Sequence, residues 1–132
     1  MNRRPDWERI LDLAIEHARS QPFSWSHRNC AIWCADVVHA MTGHDPGATW
    51  RNLPDNAWNV RMAVARAGGL ARIATDALGP SSPIAMARRG DVVLLAGDGA
   101  LGICVGRRVA VPGPKGLAFA SLEAGEMCWR VG

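Results

Sequence analysis

The spacing of apolar residues in this chain changes after Pro83, and that change governs what it can fold into. Before it, apolar residues recur every three to four positions, the period of helices buried on one face. After it they come in short runs bounded by glycine, proline and charged residues, the pattern of buried strands. Helices first and closely spaced antiparallel strands afterwards define an α+β fold, with N-terminal helices packed on a small C-terminal β-sheet. The chain has 132 residues, 48% of them hydrophobic, enough for one core. With no repeat, linker or low-complexity tract it reads as a single domain over 1–132, its helical half at about 6–79 and its β half at about 90–131.

The central element is the segment from Asn29 to Gly43. Apolar residues at 30, 33, 34, 37, 38 and 41 predict an amphipathic helix, capped by Asn29 at its start and closed by Gly43. Before it, Asp6 is placed to cap a helix from Trp7 to Ser20, with Trp7, Ile10, Leu11, Ala14 and Ala18 as its apolar stripe. Asp55 is placed to open a third helix with Trp58, Met62 and Ala65 inward, ending at Gly68-Gly69, and a fourth runs from Leu70 to Leu78. Strands are expected at Val92–Ala96, Leu101–Val105, Val109–Val111, Leu117–Ser121 and Met127–Val131.

Composition narrows the function classes. No run approaches membrane-spanning length, and the basic N-terminus lacks the apolar stretch of a signal peptide, so neither export nor a membrane span is expected. The net charge is +3, carried by arginine with Lys115 the only lysine. Arg3-Arg4, Arg88-Arg89 and Arg107-Arg108 are scattered and lack interleaved aromatics, which suits a solvated or protein-binding surface better than nucleic acid. Of the six tryptophans, Trp7, Trp33 and Trp58 fit helix stripes, whereas Trp50 and Trp129, with Arg107 and Arg108, are interface candidates. Cys30 and Cys34 lie one helical turn apart on the apolar stripe, and Cys104 and Cys128 show no zinc-ribbon spacing, so no metal and no cofactor is expected.

One residue invites a chemical reading. Cys30 falls in the first turn of the central helix, where unpaired amides and the helix dipole favour a thiolate, although a cysteine there also packs as a small hydrophobe. A cysteine nucleophile needs a base, a group to orient that base, and donors for an oxyanion. The four histidines, His17, His27, His39 and His44, all precede the strands. His39 is about two and a half turns beyond Cys30, too far to touch it. His27, three residues before Cys30, and Asp98 in the first hairpin turn are the remaining candidates to approach the thiol.

Phe23-Ser24-Trp25-Ser26, Asn29-Cys30, Arg89-Gly90-Asp91-Val92-Val93-Leu94 and Ala100-Leu101-Gly102-Ile103-Cys104-Val105-Gly106 occur here in the order found in the papain-like, NlpC-type cysteine peptidases. Those enzymes cut peptide stems of bacterial cell walls. From about Pro22 to Val111 the chain resembles them, and with Asp36, Thr42-Gly43-His44-Asp45 and Trp129 it is similar to a compact phage version found among tail genes. The resemblance implies Cys30 at the nucleophile position, Ala100 where the strand histidine stands, Pro112 near the orienting position and Phe23 near the oxyanion tyrosine. The chain has no tyrosine. The resemblance therefore implies a pseudoenzyme: a tail tip or hub protein, made in the host cytoplasm and carried in the virion, with other tail proteins as partners. The alternative is an active peptidase or amidase on peptidoglycan with Cys30 as nucleophile.

Overall fold

The computed structural model describes residues 1–21, 29–51, 56–97 and 99–132. Its helices are α1 (Trp7–Ala18), α2 (Cys30–Thr42), α3 (Ala57–Arg66) and α4 (Leu70–Leu78). Its strands are β1 (Val92–Leu95), β2 (Leu101–Cys104), β3 (Arg108–Gly113), β4 (Gly116–Ser121) and β5 (Gly125–Trp129). All strands pair antiparallel, in the order β4-β3-β2-β1-β5. The α+β expectation holds, helices first and sheet second.

α2 forms where its caps dictate. Asn29 Oδ1 accepts the Ile32 N–H at 2.9 Å, and Gly43, at φ 81°, lets its own N–H reach the His39 carbonyl. The helix is enclosed on more than the expected stripe: Ile32 and Ala35 are buried beside Trp33, Cys34, Val37, Val38 and Met41. The reason is that α2 lies between two layers. α1, β2 and β3 pack on one side, and Val60 of α3 and Ala74 of α4 help line an apolar groove on the other. The main core joins Leu11, Trp33, Val37, Met41, Ile103 and Trp129, and each such burial contributes about 1.5–3 kcal/mol. The opposite sheet face holds a smaller cluster of Val93, Cys104, Val109 and Cys128 under Ile84, Ala87 and Leu122.

Several expectations are corrected. Asp6 stands at the α1 N-cap position, but its side chain makes no capping bond; its carboxylate lies 3.8 Å from Arg4 Nε. Trp58 is 71% exposed and Ala65 is exposed too, because α3 turns Val60 inward instead. Asn56, not Asp55, caps that helix, accepting from the Asn59 N–H; position 55 lies outside the described residues. Trp129, expected at an interface, is fully enclosed in the core, where its indole N–H donates to Thr75 Oγ1 at 3.2 Å. A buried indole needs such a partner, and α4 supplies it.

The first residues form a strap that the sequence did not reveal. Arg3 donates to the carbonyls of Val131 and Arg89 at 2.6 and 2.7 Å, pairs with Asp91 Oδ1 at 2.9 Å, and its guanidinium lies 4.2 Å from the Trp7 ring centroid. Asp91, 1% exposed, also accepts the N–H groups of Val131 and Arg88. The chain's beginning, its end and the approach to β1 thus meet at one carboxylate.

Candidate functional site

Cys30 is the first residue of α2, and its surroundings follow from how β2 opens. Val105 N–H donates to the Arg108 carbonyl, so residues 103 and 110 also form a hydrogen-bonded pair, and the next such pair would be 101 with 112. Residue 112 is proline, which has no N–H, and the ladder stops at Ile103↔Ala110. Proline there leaves the Leu101 carbonyl without a ladder donor, and the Leu101 amide faces the Cys30 thiol. Ala100 immediately precedes it, its carbonyl accepting from the Leu95 N–H. Pro112 is buried on β3, opposite Leu117.

Burial pushes the Cys30 thiol up from its ordinary range, and the backbone amides of Leu101, Ala31 and Cys30 itself partly oppose this. Cys34, one turn on, is wholly buried and its thiol is pushed up much further, chiefly by desolvation. All four cysteines are free thiols. Two backbone amides at a helix start and a third from β2, around a half-buried thiol, can bind a partial negative charge, but they cannot remove a proton.

The other expected participants are dispersed. His17, His39 and His44 are exposed on the helical half. Phe23, His27 and Asp98 lie outside the described residues. Among the described residues no three His, Cys, Asp or Glu side chains gather as a metal site. No helix of the described residues is long and apolar enough to cross a membrane. Arg107 and Arg108 are exposed, whereas Arg3 of the first arginine pair is spent inside the fold and Arg89 pairs with Asp12. Trp50 is half-buried and lines the apolar groove with Ile32, Ala35, Val38, Val60 and Ala74.

Beside that groove, Arg51 clamps Asp36 of α2 and Asp45 of the following loop. Its hydrogen bonds hold the Asp45 carboxyl at about 2, and the two carboxylates in turn push the Arg51 guanidinium up. Asp45 also accepts the Gly47 N–H at 3.0 Å. A Cβ on Gly47 would stand 2.6 Å from Ala35 Cβ, so the loop can close on α2 only with glycine there. The sequence shows Asp36, Asp45 and Arg51, but their convergence requires the fold.

No curated protein matches the chain. A family model described as "Domain of unknown function (DUF6950)" matches residues 2–131, nearly the whole chain, and the protein belongs to that family.

Proposed function

We propose that this domain is a structural or assembly component of a phage tail tip or hub, built on a cysteine-peptidase-like framework that has lost catalysis. The observation that carries this reading is the setting of Cys30. Burial raises the thiol's pKa and so favours its protonated form, and the polar groups of the described residues that meet it are backbone amides. The residues opening β2 and following on β3 are Ala100, Leu101 and Pro112, none of which can take or steer a proton. Losing base and orienter together removes several orders of magnitude in rate. The placement in a tail, the virion location and the partnership with other tail proteins draw on the sequence resemblance.

The competing reading, a peptidoglycan peptidase or amidase, draws on one observation: the amides of Cys30, Ala31 and Leu101 surround the thiol as oxyanion donors would. One experiment separates the two. The purified chain is incubated with peptidoglycan and its stem peptides beside a Cys30→Ala variant, while iodoacetamide alkylation of Cys30 is followed against pH. The expected result is no thiol-dependent release and an alkylation midpoint above that of an ordinary thiol. Release that disappears in Cys30→Ala overturns the non-catalytic reading.

A further inference from the structure

The sheet has two edges, and among the described residues only one is paired with further backbone. On the β5 side, Ser82 exchanges both backbone hydrogen bonds with Cys128, at 2.7 and 3.0 Å, and blocks further pairing there. On the β4 side no strand of the described residues lies beyond Gly116–Ser121. This strand reads Gly-Leu-Ala-Phe-Ala-Ser: no charge, no proline and no register shift in its pairing with β3. Ala118, Phe119 and Ser121 are exposed. Natural edge strands usually carry a charge, a proline or a bulge against pairing, and β4 has none of these.

Backbone directions say which groups it offers. The Leu122 N–H donates to the Arg107 carbonyl, and the two-residue turn at Pro114-Lys115 is closed by the Gly113↔Gly116 pair. Both place residues 116, 118 and 120 on the side bonded to β3, so Leu117, Phe119 and Ser121 direct their N–H and C=O groups outward. An antiparallel partner with the same sequence must pair these outward residues with one another. The register that pairs all of them sets Phe119 opposite Phe119, and Leu117 opposite Ser121. Just beyond the paired strand, Lys115 of the hairpin turn in one copy stands at the end of the contact where Glu123, in the 3-10 turn after β4, follows in the other.

We propose that β4 is a self-association edge: a second copy of this chain adds its β4 antiparallel across a twofold axis at Phe119, joining two five-stranded sheets into one. The charge match is what selects a second copy. The strand is neutral, and the nearest charges beyond its two ends, Lys115 and Glu123, are of opposite sign and self-complementary in this register. Phe119 supplies an aromatic pair at the axis, with the Arg19 guanidinium 5.4 Å from its ring centroid.

Sedimentation of the full chain from micromolar to millimolar concentration tests this. Wild type is expected to pass from monomer to dimer, with exchange of the Leu117, Phe119 and Ser121 amides slowing as the dimer forms. Phe119→Lys, which sets like charges together on the axis, is expected to stay monomeric. Lys115→Glu alone and Glu123→Lys alone are each expected to raise the dimer dissociation constant about three- to tenfold, and the double exchange to restore it. These exposed substitutions leave β4's bonds to β3 in place, and circular dichroism verifies the fold. A wild type that is monomeric throughout, or a dimer indifferent to Phe119→Lys and to the charge exchange, overturns the proposal.

Discussion

Asp91 and Cys30 are both ionisable side chains at the opening of a core element, and the fold treats them in opposite ways. Asp91 sits just before β1, is 1% exposed, and has its oxygens occupied by Arg3, Arg88 N–H and Val131 N–H. Cys30 begins α2, is half-buried, and among the described residues meets backbone amides but no charged partner that holds it ionised. A buried charge persists only when paired and hydrogen-bonded, so the cluster around Asp91 is structural by necessity. A thiol needs no such support to be buried, because it can remain protonated and pack as an apolar group. The polar organisation around Asp91 closes the fold, while the polar groups of the described residues that meet Cys30 are backbone amides.

The largest effect should come from breaking the satisfied member of that pair. Asp91→Ala strands the Arg3 guanidinium and two backbone N–H groups, and urea denaturation should show a loss of about 3–5 kcal/mol. Arg3→Ala leaves the carboxylate buried with only backbone donors and should cost a comparable amount. A loss below about 1 kcal/mol in both variants would mean that the strap is ornamental, and that Asp91 resembles Cys30 more than it differs from it.

An effect of intermediate size comes from the partly exposed ion pair at Arg51. The Asp45 carboxyl titrates at about 2 in the folded chain, below the ordinary carboxylate range. A depressed folded-state value contributes stability that is fully present above the unfolded carboxyl's range and is lost as the pH falls through about 2. With allowance for solvent screening, the loss between pH 5 and pH 2 should be about 1–2 kcal/mol. Asp45→Asn should flatten that part of the acid profile. An unchanged slope would show that Arg51 holds the loop by geometry alone.

How far these features were legible beforehand depends on whether they are local. The caps of α2, the bounds of α4 and the number of strands follow from residues a few positions apart and were readable from periodicity and turn residues, although the last strand runs Gly125–Trp129, two residues earlier than Met127–Val131. The strap was not, since Arg3 and Asp91 are 88 positions apart and an arginine pair near a chain start looks like solvated charge. Trp129 and Trp58 exchanged their expected places for the same reason. What covers Trp129 is Thr75 and the core beneath α4, and what leaves Trp58 bare is the choice of Val60 as the inward residue of α3. At the candidate site, the place of Cys30 at the start of α2 could be read from the Asn29 cap and the apolar period. That the β2–β3 ladder stops at Ile103↔Ala110 and that the Leu101 amide meets the thiol required the fold.

The smallest effect should come from the other member of the opening pair. Cys30→Ala removes a half-buried sulfur with no hydrogen-bonded charge behind it, and at pH 7 it should change stability by less than about 1 kcal/mol. Its pH dependence should be more informative than its size. The folded-state value of the Cys30 thiol is raised, so its contribution is fully present below the unfolded thiol's range and is lost as the pH climbs through the folded value. Cys34, raised further, adds to the same alkaline loss. Wild type should therefore weaken above about pH 9, and Cys30→Ala should weaken less steeply while matching it at neutral pH. A Cys30→Ala variant that instead gains stability at pH 7 would mean that wild type keeps an ionised thiolate at a cost. Cys30 would then be maintained for reactivity, and the contrast with Asp91 would vanish.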